Sequence, residues 1–332
     1  MDPLERVALG RTELTVTRVG LGTAPLGGLY EDVSDEQART TIDRAWKLGL
    51  RLFDTAPLYG HGRSERRLGS ALAARPRDNY VLATKVGRLL RADAPPDDSQ
   101  LSGGIERWKG LPPENPVFDF SYDGVMRSVE ESLERLGLDR VDVLHVHDPD
   151  DHYDEALEGA HRALDRLRSE GTIGAVGAGM NQVEMPLRFA READFDCFLL
   201  AGRYTLLDQS ALPELLPLCL EREIAVILGG VYNSGILADP RPGGTYDYSV
   251  APPELLERAR AIEAVCARHD VPLKAAAIQF PLANPAVTSL LVGARSVAEL
   301  DENLDLLRRE IPGEVWEDLR TEGLLPEEAP TP

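Results

Sequence analysis

Cysteine is scarce, and its spacing excludes two chemistries. Cys197, Cys219 and Cys266 lie far apart, cannot all pair, and make no metal-like cluster. They are expected to be reduced core residues, which suits a cytoplasmic protein. Positive charge is also short, since 36 Lys and Arg against 56 Asp and Glu leave a formal charge of −20. That excess repels a phosphate backbone at long range, so nucleic acid is not an expected partner. No apolar run is long enough to cross a bilayer, and Met1-Asp2-Pro3-Leu4-Glu5-Arg6 has neither a basic n-region nor an apolar h-region, so neither membrane nor export is expected. A Rossmann fingerprint is missing too, because Gly20-Leu21-Gly22-Thr23-Ala24-Pro25 lacks the third glycine.

What the chain does have is alternation. Short β-rich runs at 19–22, 50–54, 79–85, 141–147, 173–179, 196–201, 224–229 and 289–292 are separated by amphipathic helical patterns. Ser34 with Gln37 forms a capping box before Ala38, Ile42, Ala45 and Trp46, and Gly49 supplies the stop. The helix around Val125, Val129, Leu133 and Leu136 ends at Gly137, and the one around Leu157, Ala160, Leu164 and Leu167 ends near Gly171. Before the first run, Leu9-Gly10-Arg11 reads as a turn. Apolar strands joined by helices mean a parallel sheet, and eight of them favour a closed (β/α)8 TIM barrel. No linker divides the chain, so residues 1–332 are expected to form one domain. Two connections exceed what a scaffold needs: residues 86–121, with Trp108, Phe118 and Phe120, and residues 231–251, with Tyr232, Tyr246 and Tyr248. Loops of that length are expected to wall a substrate site.

In a barrel the strand ends that carry the long loops face one mouth. The second run ends in Asp54, followed by Tyr59 and Gly60; the third ends in Ala83-Thr84-Lys85; the fourth ends in His145-Val146-His147-Asp148-Pro149. A carboxylate, a phenol, an ammonium and an imidazole therefore converge. Taken singly, Asp54 reads as a turn cap, Lys85 as a snorkelling strand end and Tyr59 as a rim aromatic. Taken together they make an acid/base site. A tyrosine has a reference pKa of about 10, and a neighbouring cation is the usual means of lowering it. Lys85 is expected to be that cation, with Asp54 orienting it and His147 addressing the substrate oxygen.

These residues reach a family likeness. Phe53-Asp54-Thr55-Ala56-Pro57-Leu58-Tyr59-Gly60, Ala83-Thr84-Lys85-Val86-Gly87, the run from Asp142 to His147, and Leu291-Val292-Gly293-Ala294-Arg295-Ser296 leading to Glu302-Asn303 together resemble the aldo-keto reductases, in order and over nearly the whole chain. The resemblance implies a barrel that binds a nicotinamide cofactor in extended form, with Asp54, Tyr59, Lys85 and His147 as a catalytic tetrad. It further implies cofactor contacts at Gly22, Thr23, Asp54, Asn181, Gly293, Arg295, Ser296, Glu299 and Asn303. Within the family the chain is most similar to the aldose 1-dehydrogenases that act on sugars such as L-fucose, L-galactose or D-arabinose, through Gly177-Ala178-Gly179-Met180-Asn181-Gln182 and Gly229-Gly230-Val231-Tyr232-Asn233-Ser234-Gly235. The same stretches depart from the family pattern. Asn181 stands one place late, Ala201 replaces a glutamine on the sixth strand, and Gly229 stands where an aromatic ring stacks on the nicotinamide.

Ser296 with Glu299 makes a second capping box, before a helix carrying Leu300, Leu304 and Leu307, whose N-terminal amides are available to a phosphate. Relatives that prefer NADPH hold its 2′-phosphate with an arginine at the place of Glu299. A glutamate there repels that phosphate and accepts from a free 2′-hydroxyl, which favours NAD over NADP. If Glu299 only closes the box, Arg295 is free to bind a phosphate. The expected activity is C1 oxidation of an aldose to its lactone, with Tyr59 as general acid/base. The alternatives are an NADPH-dependent carbonyl reductase, a pyridoxal dehydrogenase, a barrel hydrolase using His145 and His147 as metal ligands, and a nucleotide-sensing subunit without turnover. The metal reading is disfavoured because His61, His152, His161 and His269 do not stand at later strand ends.

Overall fold

Residues 2–96, 101–102 and 105–332 are described in the computed structural model. Eight parallel strands close into a barrel: β1 (Val19–Gly22), β2 (Leu52–Asp54), β3 (Val81–Val86), β4 (Val143–His147), β5 (Ala175–Met180), β6 (Cys197–Ala201), β7 (Ala225–Gly229) and β8 (Val287–Gly293). Each strand pairs in parallel with its neighbours in the sequence, and β8 returns to β1 with Leu290 opposite Val19 and Gly293 opposite Gly22. All of β3, β4 and β5 is buried, as strands covered on both faces must be. The fold is therefore the α/β barrel that the alternation of runs suggests.

Period-two alternation divides the core. Leu52, Val81, Ala83, Val143, Ala175 and Ala225 fill the barrel interior, while residues such as Val146, Val176 and Phe198 face outward against the helices. An antiparallel hairpin, Arg6–Ala8 with Thr15–Thr17, brings Leu9 and Val16 into the interior cluster and closes the end away from the mouth. Sequence alone shows only a turn there, because three-residue strands are too short for periodicity to register.

The expected helices form, with two instructive differences. Ser34 Oγ accepts from Gln37 N at 3.1 Å and caps Asp35–Leu48, and Gly49 ends that helix at φ 99°. The Gln37 amide does not reach back to complete the box; it donates 2.9 Å to the Arg295 carbonyl and ties this helix to the end of β8. The helix expected around Leu157 runs through a π turn, Ala156–His161, before continuing as Arg162–Ser169.

Both long connections fold over the mouth. In the first, Arg88–Arg91 pairs antiparallel with Asn115–Phe118, and Trp108 bridges to Leu29; residues 97–100 and 103–104 of this loop lie outside the described residues. In the second, Thr245–Tyr246 pairs with Ser249–Val250 across Asp247 and Tyr248, which hold φ of 47° and 63°. Positive φ at both central residues is the geometry of a tight hairpin turn. For a tyrosine it is an uncommon conformation of the kind that concentrates at functional sites. Among the described residues no helix is long and apolar enough to cross a membrane.

Candidate active site

The mouth is built outward from one buried ion pair. Lys85 Nζ, at the end of β3, donates to Asp54 Oδ1 at 2.7 Å and Oδ2 at 2.9 Å, and to the Thr55 carbonyl at 2.9 Å. All three ammonium protons are thereby committed. Burial holds the Asp54 carboxyl above its usual range, with the lysine opposing that shift only in part. Both side chains are almost wholly enclosed, at 1% and 3% exposure.

Tyr59 follows on the loop after β2. Gly60 holds it there: at φ 60° its backbone lies so close to Gly27 that an added Cβ would run into the Gly27 carbonyl. The phenol ring has Lys85 Nζ at 4.6 Å from its centroid, the His147 ring edge-on at 6.0 Å, and Trp108 at 5.8 Å. The expectation that Lys85 makes this phenol acidic is not what the geometry gives. Burial, and then the Asp54 and Asp148 carboxylates, push Tyr59 well above its usual value, and Arg88 is the group that opposes them. The physical reason is that the lysine charge is already matched by Asp54.

His147 ends β4 with its Nε2 3.5 Å from Asp148 Oδ2 and its Nδ1 buried without a partner. Burial first, then Arg88, Lys85 and His145, hold it well below the usual histidine value, so the ring is neutral. A neutral imidazole carries one proton, and a carboxylate beside Nε2 favours placing it there, facing the cavity. His145 lies lower, fully inside the barrel, over Gly177; an added Cβ at Gly177 would collide with His145 Nδ1 and stand 2.8 Å from Cys197 Sγ. Neither His145 nitrogen has a partner, and burial brings its pKa down to about 3. The two histidines thus sit at different depths. Among the described residues no group of three or more His, Cys, Asp or Glu is arranged to hold a metal.

Two cavities meet at Tyr59. The smaller, of about 120 Å³, is lined by Lys85, His147, Asp148, Arg107, Trp108 and Tyr248 among others. The larger, a channel of about 410 Å³, extends from Tyr59 and Asp54 past Gly22, Ala201 and Gly229 to Gly293, Arg295 and Glu299. Tyr59, Tyr248, Leu29 and Ala201 line both. A Cβ added at Gly22 or Gly229 would meet nothing nearer than 3.5 and 3.8 Å, so neither glycine is required by backbone packing. What these small residues leave open is the channel itself, which fits an extended dinucleotide lying along the strand ends.

The remaining expected contacts divide. Gly22, Asp54, Gly293, Arg295 and Glu299 line the channel, and Asn181 lines the smaller cavity. Asn181 is also turned toward the hairpin, donating to Asp247 Oδ1 at 3.4 Å. Thr23 and Asn303 are buried and otherwise engaged: Thr23 Oγ1 donates to the Asp54 carbonyl at 2.7 Å, and Asn303 Oδ1 accepts from the Tyr232 hydroxyl at 2.8 Å. Tyr232, which does line the channel, is thus positioned by Asn303. Ser296 caps the helix Val297–Arg308 by accepting from Glu299 N at 3.3 Å. The Glu299 carboxylate does not close the box on Ser296. It accepts from Arg295 N at 2.8 Å and from the Arg295 guanidinium at 3.0 and 2.6 Å, while Glu31 takes the other side of Arg295. Burial works to raise Glu299, but Arg295 outweighs it and holds the carboxyl below its usual range.

Sequence reading passed over three groups at the mouth. Arg88 Nη2 donates 3.1 Å to Asp148 Oδ2, Asp148 itself has φ 42°, and Arg107 lies 4.6 Å over the Tyr248 ring. The adjacency of Asp148 to His147 was visible; its orientation depends on a positive φ, which an aspartate tolerates but does not require.

Comparison with known proteins gives a consistent picture. The profile of the aldo/keto reductase family matches residues 18–321. The chain is 44% identical to a pyridoxal 4-dehydrogenase of Microbacterium luteolum, over 97% of this chain and 98% of that protein. It is 42% identical to a D-threo-aldose 1-dehydrogenase of Pseudomonas sp, over 94% and 96% respectively. Among solved structures, an aldo-keto reductase from Bacillus halodurans superposes with a TM-score of 0.74 at 24% identity, covering 96% of each chain, which bears on the fold alone.

Proposed function

This chain belongs to the aldo/keto reductase family, an oxidoreductase family that uses NAD(P)H, and we propose that it oxidises the cyclic hemiacetal of an aldose at C1, giving the lactone, with NAD as its preferred cofactor. The observation that carries this reading is the meeting of the two cavities at one phenol, so that substrate and nicotinamide come together at Tyr59. When bound, the nicotinamide supplies the hydride acceptor and a positive charge beside the phenol. Everything else falls to the chain. His147 Nε2 donates to the anomeric oxygen, and Tyr59, in its phenolate form, takes the hydroxyl proton as C1 is oxidised. Lys85 and Asp54 hold the charge beneath them fixed, so no reorganisation is needed at the moment of reaction. Trp108 and Tyr248 close the smaller cavity from above. Gly22, Asp54, Gly293 and the helix end at Ser296 are the residues proposed to hold the cofactor, with Ala201 and Gly229 leaving room for its ring.

The preference for NAD rests on charge. Arg295 stands between Glu299 and Glu31, so the end of the channel offers two carboxylates against one guanidinium. A 2′-phosphate there meets net repulsion, whereas a ribose hydroxyl finds an acceptor. The buried cysteines Cys197, Cys219 and Cys266 fit a reducing, cytoplasmic setting.

A second reading is favoured by the aromatic walls and by the pyridoxal 4-dehydrogenase relative: a pyridoxal-like aromatic aldehyde, oxidised from its hemiacetal between Trp108 and Tyr248. It uses the same proton transfer. Replacing Tyr59 with Phe tests both readings at once. The expected result is a loss of turnover on the order of 10²-fold or more with cofactor affinity nearly unchanged; equal loss of both would make Tyr59 structural.

A further inference from the structure

The smaller cavity is mostly apolar and aromatic, yet one carboxylate is aimed into it beside the group that addresses the reacting oxygen. We propose that Asp148 is the specificity-determining residue, and that it selects substrates carrying a hydroxyl on the carbon next to the one being oxidised, as the 2-hydroxyl of an aldose does. This rests on the reading of the chain as an aldose dehydrogenase.

Geometry supplies the first argument. Asp148 Oδ2 stands 3.5 Å from His147 Nε2. An oxygen hydrogen-bonded to that nitrogen lies about 2.9 Å from it, so the carboxylate is close to the same oxygen. Vicinal oxygens of a pyranose are themselves separated by about a hydrogen-bond length. With the anomeric oxygen on His147, a hydroxyl on the next carbon can therefore reach the Asp148 carboxylate.

The second argument is how the carboxylate is held. Arg88 Nη2 bonds Oδ2 at 3.1 Å, and Arg88 is 9% exposed with its guanidinium over Phe118 at 4.7 Å. Asp148 N donates to the Gly179 carbonyl at 3.0 Å, which fixes the backbone at φ 42°. Among the described residues Oδ1 has no hydrogen-bond donor, and Asp148 lines the cavity, so this acceptor is left for a substrate hydroxyl.

The third argument is what surrounds it. Arg107 is turned over Tyr248, the Asn181 amide toward Asp247 and Lys85 onto Asp54, so the donors left in the lining are His147 Nε2, the Trp108 indole N–H and the Tyr59 and Tyr248 hydroxyls. A substrate without a hydroxyl at that place displaces water from the carboxylate and returns nothing. Sites built to bond a substrate hydroxyl reject the analogue lacking it far more strongly than apolar pockets reject a missing methylene. The apolar faces of a sugar ring meanwhile have Trp108 and Tyr248 to lie against.

The test compares kcat/KM for an aldose and its 2-deoxy counterpart in the wild-type enzyme and in D148N. Asparagine is nearly isosteric and adopts positive φ as readily as aspartate, so the backbone is retained. Reduced-cofactor fluorescence confirms that D148N still binds nicotinamide. The expected result is a wild-type preference on the order of 100-fold for the 2-hydroxy sugar that shrinks at least tenfold in D148N, chiefly through loss on the hydroxylated substrate. If D148N keeps the full preference, or loses both sugars equally, the proposal is overturned while the dehydrogenase reading stands. If the wild-type enzyme oxidises no aldose, that reading fails first and this one with it.

Discussion

Tyr59 is the residue proposed to exchange a proton with the substrate oxygen, and its protonation state governs how each direction responds to pH. Burial and two carboxylates hold its phenol well above the usual value, so it is protonated near neutrality. Oxidation needs the phenol free to accept, so its rate is expected to rise with pH. Reduction needs the phenol to donate, so it persists through neutrality and falls only in alkali. A pH profile of kcat in both directions checks this, and an oxidation rate independent of pH from neutral upward would contradict it. His145 makes a separate prediction about stability. Its pKa is about 3 in the fold against an ordinary value of 6.5, so between those values the unfolded chain binds the extra proton and stability falls as pH drops. The slope from one such group is at most about 1.4 kcal/mol per pH unit. His145→Leu is expected to flatten the acid side of a plot of urea midpoint against pH; an unaltered slope would assign the sensitivity to the carboxylates instead. At this scale the convergence of Asp54, Tyr59, Lys85 and His147 on one mouth was legible because three of them are polar groups at the ends of apolar runs and Tyr59 follows on the loop after Asp54. Their electrostatics were not, because the Lys85 charge is consumed by Asp54, and burial has no signature in residue identity.

Elements position these residues by what they omit. Strand β5 turns only Ala175, Gly177 and Gly179 into the barrel, and that gap accommodates the His145 ring and the Lys85 chain beside it. The end of β8 and the start of the helix Val297–Arg308 form the other decisive element. There the expected capping box is only half made, since Glu299 turns back to Arg295 and Gln37 arrives from the first helix to hold the Arg295 carbonyl. The paired change Glu31→Gln with Glu299→Gln removes both carboxylates flanking Arg295 and is expected to raise kcat/KM with NADP relative to NAD by about tenfold or more, a change equivalent to about 1.4 kcal/mol. Steady-state kinetics with each cofactor gives the ratio, and an unchanged ratio would show that this end of the channel does not read the 2′ position. The sequence spelled out the capping residues here but not their partners, because Glu31, Gln37 and Arg295 meet only once the barrel closes. The two short hairpins were illegible for a simpler reason: strands of two or three residues carry no period.

Over the whole molecule, eight apolar runs separated by amphipathic ones were sufficient to give a closed parallel barrel, and the longest connections marked its mouth. What the chain's order did not reveal is the shape left between those connections, where Trp108, Arg107 and Tyr248 come from loops with no repeating pattern and wall the smaller cavity. Substrate and NAD are proposed to meet at Tyr59 for oxidation of a hemiacetal. The most direct test is the growth of reduced-nicotinamide absorbance with NAD or NADP against L-fucose, L-galactose, D-arabinose and pyridoxal. Growth is expected with an aldose and NAD, and slower growth with NADP. Absence of oxidation with every compound, together with NADPH-dependent consumption of simple aldehydes, would contradict both the assigned direction and the reading of Glu31, Arg295 and Glu299.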